Sequence, residues 1–589
     1  MTSASRDEER YRRCAGLGRL FLLLLAVLGG YVYYVQVRDS AHLAESVERQ
    51  QSRLGYIPAR RGAILDRNDT ILNYSIPQYD LAIRIDLIRD PRDTWTVTQN
   101  KTMEAIAELA VFLGPDYYLN RPPQEVIARH IRQDAPLPFV LWTNLDVVTK
   151  ARFAANRHRF PAAELVLTWC RQYGYENTAA HVRGYVRRAP RKSEIQKKLL
   201  NFQDVTGASG MEAGCNDELS GKSGLQKIQT DVLSFRHTTV ETEAAVPGSN
   251  VRLTLDIKLQ QLAEKLLAES GCPGAMVLMD ASTGELLVLA SSPSCHLPPV
   301  SEDAKVPGAY TNRATAGYYP PGSTIKPLIA LEALSQKVIT PEETIYCPGY
   351  YELPDKRKVK CSSRNGHGYV NVTEALAMSC NTFFCEVGVR MGEKGFRKLG
   401  ENTALGELFG KRIGVHVGLQ ENAGVFFTPQ WTSGSRPQMP VWTAGDSANA
   451  AIGQGAWIVT PLQMAVYACA ITTGCVFQPR IVCGDAPSVK RLLRWTDDAW
   501  IPVLQGLVDC VQSPRGTGRR LKLGDMLVWA KTGTAEHIAG HEPHAWMFAV
   551  APAGKPRYVA VAMLEEGGHG GELAAPLIQK LLEEAFGKP

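Results

Sequence analysis

No one sign of charge dominates this chain. Its 65 basic residues stand against 59 acidic ones, and a net +6 over 589 residues is too diffuse to grip a polyanion, so nucleic acid is not an expected partner. Internal repeats and low-complexity tracts are missing as well, which leaves ordinary globular domains as the expectation. A third absence lies near the N-terminus: no small-residue cleavage site follows Gly30, and Tyr31 to Gln36 is bulky. The uncharged run Leu20 to Val37, eighteen residues long, is therefore read as a retained transmembrane helix, not as a removable signal. Five arginines (Arg6, Arg10, Arg12, Arg13, Arg19) against three acids precede it, which predicts a cytoplasmic leader over residues 1–19 and an outward-facing remainder.

Three short strings in the second half carry chemistry: Ser323-Thr324-Ile325-Lys326, Ser379-Cys380-Asn381 and Lys531-Thr532-Gly533-Thr534. A Ser-x-x-Lys alone arises by chance about once or twice in a chain this long, and a capping serine beside a solvated lysine explains it as well. Order and setting make the case. Pro320-Pro321-Gly322 cannot continue a helix, and Ser323 opens an apolar run to Leu334, so Ser323 is placed at a helix N-terminus, where oxyanion charge is favoured. Lys326 follows one turn later on the same face. A lysine accepts a proton at neutral pH only when desolvated or crowded by another cation, and Lys531 is the candidate neighbour.

Val528 to Thr534 reads as a strand whose Gly533 leaves a gap for a substrate backbone at the sheet edge. Alternation puts Thr532 and Thr534 on one side to hold a substrate carboxylate, with the Thr534 and Ser323 N–H groups as an oxyanion hole. The same alternation starts Lys531 on the opposite side, from which it must reach round the edge. Ser379 and Asn381, if extended, point the same way: Ser379 as a proton relay to a leaving amine, Asn381 as a hydrogen-bonding hand for Lys326 or the substrate amide. Cys380 would then face away.

Changes in texture suggest the domains. Residues 38–245 mix strand-like Asp80 to Ile85 with helical Thr102 to Leu113 and Ser193 to Leu200, and no chemical constellation appears there. Residues 246–589 read as an α+β or α/β unit. Its expected parts are an amphipathic helix over Leu259 to Leu267, strands Ala275 to Met279 and Glu285 to Ala290 joined by Ser282-Thr283-Gly284, strands Ala545 to Ala551 and Tyr558 to Leu564, and a helix from Ala574 to Phe586. Strands from both ends with a helical middle predict one antiparallel sheet covered by helices on both faces. At 45% hydrophobic residues the chain can build such cores.

The three strings together resemble the motif set of penicillin-binding proteins and serine β-lactamases. Arg61-Gly62-Ala63-Ile64-Leu65-Asp66-Arg67, His181 to Val186 and Gly207 to Leu219 resemble the non-catalytic pedestal of class B penicillin-binding proteins; Gly453-Gln454-Gly455, Thr460 to Gln463 and His544-Ala545-Trp546 resemble the transpeptidase domain. Pro320 to Ser323 and Ser379 to Phe384 are closer to the elongation type, penicillin-binding protein 2, than to the division type. The resemblance implies a penicillin-recognising, β-lactamase-like transpeptidase fold on a pedestal with one anchor. It implies attack by Ser323 on stem peptides ending in D-Ala-D-Ala, β-lactams as inhibitors, and no cofactor for the chemistry. It also implies a lipid-linked precursor polymer as substrate, a membrane glycosyltransferase and elongation scaffold proteins as partners, and a pedestal that docks them. Arg61, Asp66 and Arg67 are read as a salt-bridged structural knot.

Thirteen cysteines are many for an extracytoplasmic protein. Cys347, Cys361, His367 and Cys380 form C-x13-C-x5-H-x12-C, a set suited to a closed tetrahedral zinc site; a Cys347 to Cys361 disulfide or buried apolar thiols are the alternatives. Some elongation-type relatives resemble this sequence in carrying metal ligands at corresponding places, which favours a structural zinc bracing Ser379 from behind. Other readings of the whole are a β-lactamase, for which a pedestal and anchor are odd, a β-lactam sensor, for which the leader is too short to hold a signalling domain, and a scaffold, which would tolerate Ser323→Ala. Pro293 to Pro298 and Met547 depart from the family pattern and bear on the acceptor entrance. His296, His541, His544 and His569 are not needed by lysine chemistry, and His569 is placed in a loop.

Overall fold

The computed structural model describes residues 3–38, 52–90, 92–133, 138–190, 205–230, 236–435, 441–484 and 486–587. Helix Ser3–Tyr33 runs into a π-turn over Tyr34–Arg38. Its segment Arg10–Arg38 is long and apolar enough to cross a bilayer and is nowhere buried by the protein, so the apolar surface of Leu20 to Val37 is left for another solvent.

The N-terminal unit is built on a long strand, Ile71–Ile83, paired antiparallel along its whole length with Ala163–Tyr173. Asp80 to Ile83 lies in that strand, while Ile85 belongs to the 3-10 turn that follows. Helix Trp95–Leu113 packs Ile106, Leu109 and Leu113 against Ile83 and Ile85. The expected helix over Ser193 to Leu200 falls outside the described residues. The short strand Ile64–Leu65 pairs antiparallel with Ile71–Ile83 and parallel with Val251–Arg252, which leads into the C-terminal unit.

The expected knot exists, with different partners. Arg61 pairs with Glu212, not Asp66, at 2.7 Å, and donates again to the Glu212 carbonyl. Arg171 reaches the other Glu212 oxygen at 2.7 Å, and the Asn73 amide donates to that same oxygen. Asp66 caps the turn of Asn68 and Thr70, and Arg67 meets Glu285 of the C-terminal unit at 3.6 Å. Ion-pairing residues this far apart in sequence cannot be matched by spacing.

The C-terminal unit contains a five-stranded antiparallel sheet: β1 (Gly274–Asp280), β2 (Leu286–Ser292), β3 (Trp529–Ala535), β4 (His544–Ala551) and β5 (Tyr558–Leu564), in spatial order β2-β1-β5-β4-β3. The β1–β2 turn is tied by Asp280, whose carboxylate accepts from the N–H groups of Ser282 and Thr283, and Gly284 supplies φ +74°. Both faces are covered. Helices Ile257–Glu269 and Ala574–Ala585 pack on Ala530, Met547 and Ala549, whereas helix Pro461–Thr473, buried up to Thr472, and helix Asp497–Gln512 lie against the face of Phe548, Val550 and Trp529. Strands buried on both faces read as near-continuous apolar runs, as β4 and β5 do.

Glu212→Ala would strand two buried guanidinium groups and is expected to destabilise the protein by about 3–5 kcal/mol, seen as a lowered unfolding temperature of the full chain. An unchanged transition would mean that water already satisfies both arginines.

Candidate active site

The turn that carries Ser323 is squeezed into place. Gly322 (φ +55°) donates its N–H to the Gly453 carbonyl at 2.9 Å, and a Cβ on Gly453 would lie 1.9 Å from the Gly322 oxygen. On the other side a Cβ on Gly322 would meet the Thr534 carbonyl at 2.8 Å. Residues Gly322–Ile325 form a 3-10 turn in which the Thr324 hydroxyl donates to Pro321 O at 2.7 Å, and the α-helix begins at Lys326. Ser323 thus sits one turn before the α-helix proper, half-buried, while Lys326 is wholly buried. The Tyr467 hydroxyl anchors the junction, donating to Thr324 O and accepting from Leu328 N.

Gly533 has a different task from the expected one. A Cβ there would meet Thr324 Cγ2 and Trp546 Cβ, each at 2.9 Å, so the gap in β3 receives the Ser323 turn and not a substrate backbone. Lys531 likewise does not reach round the edge. It shares the sheet face of Trp529, whose core cluster also contains helix Lys326–Ser335, and its charge acts on Lys326. Alternation within a strand could not reveal which face the helix would choose.

Ser379-Cys380-Asn381 is not extended. Ser379 takes a left-handed conformation (φ 57°), and Cys380 caps helix Asn381–Glu401 by accepting from Phe383 N. The turn still delivers both polar side chains to one point. Lys326 Nζ lies 2.8 Å from Ser379 O, 3.3 Å from Ser379 Oγ and 2.7 Å from Asn381 Oδ1. Asn381 is oriented by its own amide N–H, donated to Lys360 O at 2.9 Å. Two of the three partners can only accept. A neutral amine satisfies them with its two protons and keeps a lone pair. Desolvation first, and then the positive charge of Lys531, push the Lys326 pKa down to about 7. Burial lowers Lys531 to about 8, and its ammonium donates to Thr532 O at 3.0 Å.

Above these lysines lies a cavity of about 1200 Å³. Ser323, Ser379, Asn381, Thr532, Thr534 and Cys361 all line it, and β3 is an edge strand of its sheet. The sequence reading missed Thr517, whose hydroxyl meets that of Thr532 at 2.6 Å, and the cationic lining of Lys358, Lys360, Arg364, Arg515, Arg519 and Arg520. The run Arg515 to Arg520 was the available signal. His569 lines the cavity too, with Nδ1 3.5 Å from Thr534 Oγ1. Met547 is fully buried and Cys295 packs with Ala180 and Ala309, while His296 and Pro298 of the same stretch are exposed.

Behind the second string, the donor atoms of Cys347, Cys361, His367 and Cys380 lie within 4.8 Å of one another. Both Cys347 and Cys361 Sγ stand 3.5 Å from His367 Nδ1, and the Cys361 and Cys380 sulfurs are 3.8 Å apart. All the cysteines are free, and 3.8 Å is far beyond a disulfide bond. It is close to the edge of a tetrahedron with zinc–sulfur bonds of about 2.3 Å. Backbone N–H groups of Asn381 and Phe383 point at Cys361 and Cys380 sulfur, as thiolate ligands need. The donor set fits zinc.

A serine in the 3-10 turn leading into a helix, a desolvated lysine and an edge strand fit a serine acyltransferase. The chain belongs to the penicillin-binding protein family: residues 274–583 match the penicillin-binding protein transpeptidase domain and residues 56–253 the penicillin-binding protein dimerisation domain. It is 31% identical to peptidoglycan D,D-transpeptidase MrdA of Escherichia coli K12, with 95% of this chain and 92% of the relative covered, and 29% identical to MrdA of Acinetobacter baumannii, covering 94% and 84%. Among solved structures it is similar to penicillin-binding protein PBP2 of Helicobacter pylori in complex with MreC, with a TM-score of 0.73 and 25% identity over 91% of this chain and 100% of that one.

Taken as the base, the neutral Lys326 amine with its lowered pKa predicts that acylation by a β-lactam will rise as pH climbs through about 7 and then level off. Lys531→Met removes the repelling charge and should move that midpoint upward. A midpoint near an ordinary lysine value in the unmodified protein, or one indifferent to Lys531, would contradict this electrostatic picture.

Proposed function

We propose that the protein is a membrane-anchored peptidoglycan D,D-transpeptidase of cell-wall elongation. The observation that carries this reading is the buried Lys326 amine, held by Ser379 and Asn381 beneath the cavity that Ser323 lines. Ser323 Oγ attacks the penultimate D-Ala carbonyl of a stem peptide ending in D-Ala-D-Ala while Lys326 accepts its proton. The backbone N–H groups of Ser323 and Thr534 receive the oxyanion. Collapse forms the Ser323 ester and expels the terminal D-Ala, whose amine takes a proton relayed through Ser379. An amine of a neighbouring stem then attacks the ester, restoring the serine and making the cross-link. Thr532 and Thr534 hold the donor's terminal carboxylate, and the donor lies extended along β3. β-Lactams imitate that donor and stop at the acyl stage.

In this reading residues 1–19 lie in the cytoplasm, residues 20–37 cross the inner membrane, and the pedestal over 38–245 and the transpeptidase unit over 246–589 lie outside; the charge bias of the leader and the apolar helix support it. Polymerised strands come from a membrane glycosyltransferase, and the pedestal meets an elongation scaffold. The relative from H. pylori was solved with MreC, and a further structural neighbour, with a TM-score of 0.68 and 26% identity over 98% of this chain and 99% of that one, belongs to a peptidoglycan synthase complex. Cys347, Cys361, His367 and Cys380 hold a structural zinc. The chemistry that ion supplies is bracing: it ties Cys380 and its two catalytic neighbours to the loop of Cys361 and His367.

Mass spectrometry of the penicillin-treated full chain should locate the adduct on Ser323 and find none in Ser323→Ala. An adduct elsewhere would overturn the assignment. Cys361→Ala should lose bound zinc and slow acylation by roughly ten- to a hundredfold while the adduct stays on Ser323. Purified protein without zinc would remove the metal from this account and leave the acyl transfer standing.

A further inference from the structure

The loop between β3 and β4 and the turn after β5 meet at one wall of the cavity, lined there by Glu536 from the first and His569 from the second. Beside that wall, His537, His541 and Glu566 each bring one donor atom to within 4.8 Å of the others. The imidazoles converge on a single carboxylate oxygen: His541 Nδ1 lies 2.9 Å and His537 Nε2 3.4 Å from Glu566 Oε1. The two rings are only 5.8 Å apart between centroids. Three side chains of metal-ligating type thus bring their donor atoms to one point.

The arrangement is also held in advance. His537 stacks on His544 with centroids 4.0 Å apart and planes 19° off parallel. His544 is itself buried, and its Nδ1 accepts the backbone N–H of Glu566 at 3.1 Å. The same short network therefore positions the carboxylate and one of the imidazoles. Holding ligand side chains in place through a second layer of contacts is how metal sites limit the entropy lost on binding.

We propose that His537, His541 and Glu566 form a second divalent-metal site, for zinc or an ion of similar ligand preference, separate from the cysteine cluster. Two imidazoles and one carboxylate match the donor types zinc takes, and three protein donors leave a tetrahedral ion one position open. With His541 and Glu566 about half exposed, the ion exchanges more readily than one enclosed by three buried cysteines. Its effect is mechanical. A bound ion ties the β3–β4 loop to the turn after β5, fixing the wall that Glu536 and His569 present to the cavity.

The test counts ions and needs no turnover, so its result is independent of the transpeptidase reading. Full-length protein in detergent is stripped with a chelator and dialysed against zinc alone. The unmodified chain should bind one zinc more per chain than either His541→Ala or Glu566→Gln, whatever the cysteine cluster retains. With cobalt in place of zinc, the ion lost in those variants should show only weak visible bands, without the thiolate-to-metal absorption of a cysteine site. Retained penicillin labelling of Ser323 and an unchanged unfolding temperature show that the variants are folded. Equal metal content in all three proteins, or an extra ion that carries thiolate absorption, overturns the site.

Discussion

Lysine amines are costly to bury, and two of them lie fully buried beneath this site. Burial brings the Lys326 pKa down to about 7, and the charge of Lys531 beside it acts in the same direction. A cost of this kind has to be offset by packing elsewhere. The sheet is covered on both faces, and helix Pro461–Thr473 is buried on every side. Tyr467 of that helix reaches the backbone of the Ser323 turn, which links the packing of the core to the position of Ser323.

The same dryness demands close approach. Three glycines make the close approach possible: Gly322 against the β3 backbone, Gly453 against the Gly322 backbone, and Gly533 against the Thr324 and Trp546 side chains. None of the three contacts can accept a Cβ without something shifting. Their absent side chains are therefore as much a part of the site as the serine.

Much of this could be read from residues alone. The apolar runs of β4 and β5, the helix at Ile257–Glu269 and the hairpin at Ser282 to Gly284 have local causes, so periodicity and turn chemistry found them. The three strings identified the chemistry because order along the chain survives folding. What stayed hidden depends on relations between distant segments. Arg61 finds its carboxylate at Glu212, the face of β3 that Lys531 occupies is set by where a helix packs, and Gly533 faces a turn more than two hundred residues earlier. Ser379 is the instructive case: assumed extended, it is left-handed, yet its side chain and that of Asn381 still converge, because a tight turn can aim two alternate residues at one point as a strand can.

That left-handed residue also joins the cysteine cluster to the residues around the Lys326 amine. A non-glycine residue at positive φ is held there by its surroundings. Here the surroundings are the helix that begins at Asn381, capped by Cys380, and the loop whose Cys361 sulfur accepts the Asn381 N–H at 3.3 Å. Cys380 Sγ in turn lies against Cys361. Ser379 and Asn381, which orient the Lys326 amine, therefore flank Cys380, whose sulfur belongs to the cluster. A small movement of the cluster would alter the hydrogen bonds that keep the amine's lone pair free, before it changed any contact of Ser323 itself.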